Sequence, residues 1–251
     1  MEWRGKATRN PYQVLGLGLI LAGAVFAPIA YFLIASVALT AVGLSALMIG
    51  FTCIALANAR PYISPEASET ILKTGMENTA ALLEELGVRN KAIYLPSSMR
   101  DGRPQALIPL TGVPDAARIR GKIPGRLVVR YGDDPGDMAL AVTTPGSINL
   151  DKLEAKPGPT AEDIQHAVTY VLTGLLDLAN AVSVNLTDGA VDVEVTGPRL
   201  RYEDIWYYRC LGSPVASIVA TIACEALDRP LRIASEEYKR GKSLIRLEKL
   251  S

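Results

Sequence analysis

The sequence has few cysteines, histidines and aromatic residues, and these shortages exclude whole classes of protein. Its 251 residues include three cysteines and one histidine, and aromatic side chains make up 6%. Three unpatterned cysteines do not make a disulfide scaffold. Lys plus Arg and Asp plus Glu each number 26, so the formal charge is zero. Bulk attraction to nucleic acid is therefore missing, and we expect no nucleic-acid partner.

Motifs of catalysis and metal binding are also missing from the sequence. It contains no Gly-rich phosphate loop, no G-x-S-x-G elbow and no H-E-x-x-H, so no motif supports an enzyme. A metal site or triad built on histidine would depend on His166 alone. His166 lies about 200° around a predicted helix from the apolar Ile164, so we expect it to be exposed. We predict neither a metal nor a cofactor.

One long segment has no charge at all. The 44 residues from Val14 to Ala57 contain no Asp, Glu, Lys, Arg or His. A single helix of that length would measure about 66 Å, roughly twice the thickness of the hydrocarbon layer. We therefore predict a transmembrane helical hairpin over residues 14–58, with Pro28, Tyr31 and Ser36 as the turn material. A segment at 1–13 precedes it and a domain at 59–251 follows it.

Positive residues at both outer ends of the hairpin predict its orientation. Arg4, Lys6 and Arg9 precede the first span, and Arg60 follows the second. The positive-inside rule then places both termini in the cytoplasm of a multi-pass protein of the cell membrane. A cleaved signal peptide is the competing interpretation, but its apolar region would be only about 7–15 residues long.

Small residues inside the spans, such as Gly16, Gly23, Gly43 and Gly50, allow helices to approach closely. Two interpretations follow: the two helices pack on each other, or they also pack on the helices of a partner. The absence of ionisable residues from both spans argues against a channel, a proton path or a transporter.

The rest of the chain predicts an α+β domain with an antiparallel sheet and helices on one face. A helix, a strand, a turn and a second strand follow one another three times, which we interpret as weak α-β-β repeats. The helices begin at Ser64, Thr160 and Ser213. The strand pairs are 92–96 with 105–109, 181–186 with 190–195, and 231–234 with 243–248, and a further pair is 126–131 with 138–143.

The first of these helices carries an apolar pattern that predicts one buried stripe. Its members follow one another at spacings of three and four residues: Leu72, Met76, Thr79, Leu83 and Leu86. Gly87 can supply the left-handed residue that ends the helix.

An acidic loop lies between the strands of the additional pair. Asp133, Asp134 and Asp137 invite a divalent-metal interpretation, but the ligand pattern of a calcium loop is missing. Ordinary turn chemistry also accounts for the run Gly-Asp-Asp-Pro-Gly-Asp, and we favour that interpretation.

A helix start that follows arginines and aromatic residues is the best candidate for a ligand site. Backbone N–H groups at a helix start attract anions. We predict an anion site formed by Arg201, Arg209, Gly212 and Ser213, with an arginine clamping the ligand. The alternative is an ordinary Ser-Pro helix entry beside aromatic side chains that cover a core edge.

Two runs of residues carry a family resemblance. They are Glu77-Asn-Thr-Ala-Ala-Leu-Leu-Glu-Glu-Leu-Gly-Val88 and Lys91-Ala-Ile-Tyr-Leu-Pro96. Together with the two-span anchor they resemble uncharacterised archaeal membrane proteins. The resemblance implies neither an activity nor site residues.

Two kinds of function remain open. The first is a non-enzymatic, membrane-anchored cytoplasmic module: a scaffold, a ligand sensor or an accessory subunit of a membrane complex. Its partners would be the lipid bilayer and either another protein or further copies of the chain. The alternative is an enzyme that acts on a membrane-associated or phosphorylated substrate, with Asp133, Asp134 and Arg209 as its polar cluster.

Overall fold

The chain forms two compact units, Met1–Leu72 and Lys73–Ser251. The computed structural model describes residues 11–59, 65–111, 116–119, 121–200 and 205–250. The domain boundaries that the sequence suggests at residues 13 and 58 stay predictions.

Two apolar helices make up most of the first unit. They are α1 (Pro11–Phe32) and α2 (Val37–Ala59), and both are long and apolar enough to cross a membrane. The chain turns between them at residues 33–36, where Ala35 has a φ of 54°. Pro28 and Tyr31 lie inside α1 rather than in the turn. Ser36 does belong to the turn, and its hydroxyl accepts a hydrogen bond from the N–H of Leu39 at 3.4 Å.

Glycines bring α1 and α2 into direct backbone contact. A Cβ on Gly23 would lie 2.8 Å from the carbonyl oxygen of Gly43, and one on Gly16 would lie 2.9 Å from that of Gly50. Real Cβ atoms do not approach so closely, so only glycine fits at these positions. The two helices therefore pack on each other, as both interpretations of the small residues predict.

The second unit contains an eight-stranded antiparallel sheet, which confirms the predicted α+β fold. Its strands are β1 (Ile93–Leu95), β2 (Gln105–Pro109), β3 (Val128–Arg130), β4 (Met138–Val142), β5 (Ala181–Leu186), β6 (Ala190–Thr196), β7 (Leu231–Lys239) and β8 (Lys242–Lys249). They lie in the order β3-β4-β2-β1-β7-β8-β6-β5. All seven neighbouring pairs are antiparallel.

The helices follow the predicted repeat with two additions. The long ones are α3 (Pro65–Glu85), α5 (Ala161–Thr169) and α7 (Pro214–Leu227), and each precedes a pair of neighbouring strands. The short helices α4 (Pro145–Leu150) and α6 (Trp206–Leu211) were not predicted. A π-helical segment, Tyr170–Leu175, continues α5.

Helix α7 lies at the centre of the core. Every residue from Val215 to Ala226 is buried, and α7 packs against α4, α5 and strands β1 and β7. The segment Trp206–Leu227 is also long and apolar enough to cross a membrane, but 83% of its most apolar stretch is buried inside the protein. In the second unit it is a core segment, interrupted by a turn at Gly212.

The two faces of the sheet differ. A large core covers one face, and a smaller cluster around Leu95, Leu107 and Ile123 covers the opposite face beside β1 to β4. On the other half of the sheet that face carries ion pairs between neighbouring strands. Lys242 contacts Glu194 at 2.6 Å, and Arg246 lies 3.8 Å from Asp192. Such a polar face is typical of an antiparallel sheet that is solvated on one side.

The predicted buried stripe of α3 is only partly correct. Leu83 is buried and Met76 and Thr79 are half-buried. Leu72 and Leu86 are 64% and 54% exposed. Spacing identifies residues that share a helix face, but it does not show how much of that face a neighbour covers. The predicted end of the helix is confirmed, because Gly87 follows it with a φ of 67°.

Candidate functional site

A line of polar side chains runs along the buried helix α7. Ser213, Ser217, Thr221 and Glu225 recur every four residues, and each is at most 6% exposed. A spacing of four places them on one face of the helix. Sequence reasoning missed this α7 polar stripe, although Ser-x-x-x-Ser-x-x-x-Thr-x-x-x-Glu is visible in an otherwise apolar helix. An unpaired buried polar group is costly. Ser213, Thr221 and Glu225 have partners elsewhere in the fold, whereas the Ser217 hydroxyl oxygen has no hydrogen-bond partner among the described residues.

Ser213 at the start of α7 binds a carboxylate of the protein itself. Its N–H and its hydroxyl donate to the two carboxylate oxygens of Glu236, at 3.0 and 2.5 Å. The Ser213 hydroxyl oxygen also accepts from the N–H of Ala216 at 3.0 Å, which caps the helix. A helix start favours negative charge, and here Glu236 supplies it.

An irregularity in β7 brings Glu236 to the helix. The pairing with β8 shifts between Ile233 and Ser235, so Glu236 lies opposite Ile245. Ile245 is a core residue, and residues opposite each other in a sheet share a face. Without the shift, the alternation of the strand would direct Glu236 to the other face.

The structure describes three of the four residues of the predicted anion site. The Arg209 guanidinium lies 5.4 Å from the ring centre of Trp206. Gly212 has a φ of 76°, and a Cβ there would lie 2.6 Å from the side chain of Ile233. Arg201 lies outside the described residues. An external anion at Ser213 would share the helix start with Glu236, and its binding stays a prediction.

The middle of the stripe adjoins a buried tyrosine. The Tyr94 hydroxyl donates to the carbonyl oxygen of Leu211 at 2.5 Å. Burial raises the pKa of this phenol well above its ordinary value, an effect that the neighbouring Ser217 partly offsets. The Tyr94 hydroxyl is therefore a neutral donor that connects β1 to the end of α6.

Thr221 connects α7 to α4. The hydroxyls of Thr221 and Thr144 are 2.7 Å apart, and Thr144 caps α4 through reciprocal hydrogen bonds with Ser147. Gly146 allows the close approach, since a Cβ there would lie 2.6 Å from the Cβ of Thr221.

Glu225 ends the stripe with three charge-assisted contacts. It accepts from the N–H of Ser97 at 2.7 Å, from the Ser97 hydroxyl at 2.6 Å and from the Lys156 amine at 3.0 Å. Lys156 also lies 3.6 Å from Asp228. The hydrogen bond with Glu225 raises the pKa of Lys156. The carboxylate is thus an internal anchor for two loops, at Ser97 and at Lys156.

The acidic loop has the bonding of a turn. Asp137 is buried, accepts from the N–H of Asp134 at 3.2 Å and lies 3.3 Å from the Arg118 guanidinium. Arg118 also lies 3.6 Å from Asp134. Among the described residues, no group of three His, Cys, Asp or Glu side chains could hold a metal ion.

A cavity of about 390 Å³ lies between the loop at 153–158 and the exposed side of α5. His166 is exposed, as predicted, and lies in the wall of this cavity beside Tyr170 of the π-helical segment. The polar part of the lining consists of Glu154, Lys156, Asp163, His166 and Tyr170. Cys224 on α7 is fully buried.

Two apolar helices followed by an α+β sheet unit define the class of this protein. The chain belongs to the family described as Domain of unknown function (DUF7982), whose model matches residues 3–248. Comparison with curated proteins and with solved structures gives no match. The matched residues include parts of both units.

Proposed function

We propose that this chain is a non-enzymatic module anchored in an archaeal cell membrane by α1 and α2, with both termini in the cytoplasm. It serves there as a scaffold, a ligand sensor or an accessory subunit of a membrane complex. Its partners are the lipid bilayer and either another protein or a second copy of the chain.

The observation that carries this proposal is the uncharged, glycine-packed helix pair. Its outward side chains are large and apolar, for example Leu17, Leu21 and Phe51, which are about 60% exposed in the absence of lipid. Two helices packed in this way anchor a protein without offering a polar path. The helix pair therefore supports a function in which the protein is held at the membrane.

The second unit supports the same proposal, because several of its buried polar groups form hydrogen bonds within the fold. Glu225 and Glu236 each accept hydrogen bonds from serines inside the fold. The alternative enzyme would combine Asp133 and Asp134 with Arg209. Arg118 lies 3.6 Å from Asp134, and Arg209 lies over Trp206. These contacts use Asp134 and Arg209 within the fold, which favours the module.

Purification of the full chain in a mild detergent tests the proposal. Light scattering gives the protein mass of the complex, and mass spectrometry identifies its chains. We expect a stable assembly with at least two protein chains, either two copies or one copy with a stoichiometric partner. A strictly monomeric chain at all concentrations in the micromolar range would contradict the scaffold and subunit forms of the proposal.

A further inference from the structure

We propose that the cavity between residues 153–158 and α5 binds a small zwitterion that carries one carboxylate and one ammonium group, such as a free amino acid. The inference deepens the ligand-sensor form of the proposed function and rests on it. The cavity has a volume of about 390 Å³, which lies within the range of small-molecule sites, roughly 300–1,000 Å³.

Both walls of the cavity are fixed by contacts within the fold. Helix α5 is capped by Thr160, whose hydroxyl accepts from the N–H of Asp163 at 3.1 Å. The inner side of α5 is buried through Ile164 and Val168. The loop on the other wall is held by the contact of Lys156 with the buried Glu225. A site on fixed walls loses little conformational entropy when it binds.

The π-helical segment adds a second feature at the same place. It begins at Tyr170, which lines the cavity four residues after His166. Wide turns of this kind are rare within helices and are frequent at functional sites. The cavity and the π-helical segment therefore meet at one residue.

The charges in the lining select the class of ligand. The Lys156 amine, beside its contacts with Glu225 and Asp228, and the His166 ring can donate to a ligand carboxylate. The carboxylates of Glu154 and Asp163 can accept from an ammonium group, Asp163 in addition to the hydrogen bond from the Thr160 hydroxyl at 2.7 Å. A simple anion would be repelled by the two acids, and a simple cation would leave the donors of Lys156 and His166 unused. A compound with both charges satisfies both sets, and complementary charge gives selectivity in this way.

Apolar side chains complete the lining and favour an amino acid with an aliphatic side chain. They are Leu153, Ala155, Pro157 and Ala167. Ala167 is buried beneath the cavity, and Leu153 packs against the main core. A branched aliphatic group of valine size can contact these carbon atoms.

Ligand binding can be measured by NMR through the ring of His166, the only histidine of the chain. With histidine labelled by ¹³C and ¹⁵N, the full chain in detergent gives one ring signal, that of His166. We expect L-valine to shift this signal saturably and to bind at least tenfold more tightly than isovalerate, which lacks the amine, or isobutylamine, which lacks the carboxylate. Equal affinity for the three compounds, or no saturable shift with L-valine, would overturn the proposal.

Variants test the two acids that would hold the ammonium group. Asp163→Asn and Glu154→Gln are each expected to weaken L-valine binding at least tenfold. Glu162→Gln, on the same helix but outside the lining, should leave it unchanged. Because Glu154 lies on the loop and Asp163 on the helix, misfolding of one variant leaves the other as a test. Unchanged affinity in either folded variant would remove that acid from the site. If L-valine does not bind while the purified assembly persists, only the ligand proposal fails.

Discussion

The position of Glu236 depends on the tertiary fold. Its carboxylate accepts from Ser213, and it reaches the helix only because the β7 pairing shifts. Removal of the side chain by Glu236→Ala leaves the Ser213 donors without their charged acceptor. We expect a loss of about 1.5–3 kcal/mol in the free energy of unfolding, the usual value for hydrogen bonds to charged groups.

Urea unfolding of the full chain in detergent, followed by Trp206 fluorescence in a Trp3→Phe background, measures this loss. Added acetate should restore part of the stability of Glu236→Ala and leave the wild type unchanged. Glu237→Ala is the matched control, because Glu237 is exposed on the same strand and exposed sites usually change stability by less than about 0.5 kcal/mol. Equal losses in the two variants would contradict the role of Glu236.

Tyr94 gives a prediction with a pH dependence. Tyr94→Phe leaves the buried carbonyl of Leu211 without its donor, at a cost of about 1–3 kcal/mol near neutral pH. Burial raises the pKa of the Tyr94 phenol in the folded protein. Above about pH 10 the unfolded chain therefore loses this proton while the folded chain keeps it, and stability falls as the pH rises.

The Phe variant lacks that loss, so the stability gap between wild type and Tyr94→Phe should narrow between about pH 9 and pH 11. Urea unfolding at both pH values measures the gap. Tyr238→Phe serves as the control, because Tyr238 is 65% exposed. A constant gap would mean that Tyr94 titrates in the same way in both states.

At the level of elements, the helix pair depends on its glycines. Gly16→Leu would force a side chain against the Gly50 carbonyl and Cys53. We expect the helices to separate there, so that a membrane-permeant maleimide labels Cys53 several-fold faster, as measured on the Cys53 peptide by mass spectrometry. Gly18→Leu is the control, since nothing lies within 4 Å of a Cβ at Gly18. Similar labelling in both variants would show that the glycine contact does not hold the pair.

The junction of α4 with α7 makes a second prediction for an element. Gly146→Ala places a Cβ 2.6 Å from that of Thr221, and overpacking of this kind costs about 1–3 kcal/mol. Thermal unfolding compares it with Gly189→Ala, where nothing lies within 4 Å of the added carbon. The Gly146 variant should unfold several degrees lower, and equal midpoints would contradict tight packing at this junction.

Elements with strong local signals were predictable from the sequence. The hairpin of β5 and β6 has strict alternation around Asp188-Gly189, and β5 has the bounds that the sequence predicts. Helices α4 and α6 have six residues each, too short for an apolar period to emerge. The α3 stripe was wrong in part because the extent of burial depends on a neighbour that periodicity does not describe.

For the candidate site, the sequence predicted the cap at Ser213 but not its acceptor. Ser-Pro is a local signal for a helix start, whereas Glu236 lies 23 residues later on a strand whose register shifts. The link between Glu225 and Ser97 spans 128 residues. Contacts between distant segments depend on strand order and on irregularities, neither of which has a local signature.

On the scale of the whole molecule, the account depends on the two helices α1 and α2 holding the second unit at the cytoplasmic side of a membrane. The charge pattern predicts that orientation, because Arg4, Lys6 and Arg9 precede the uncharged run and Arg60 follows it. If it is correct, residues at both ends of the chain share one compartment.

Cysteine labelling in intact cells tests this orientation most directly. Gly5→Cys and Leu200→Cys each add one thiol, before α1 and in the second unit, to a chain whose three native cysteines are buried. A membrane-impermeant maleimide is applied before and after permeabilisation. The account predicts no labelling of either position in intact cells and labelling of both after permeabilisation. Labelling of either position in intact cells would contradict it.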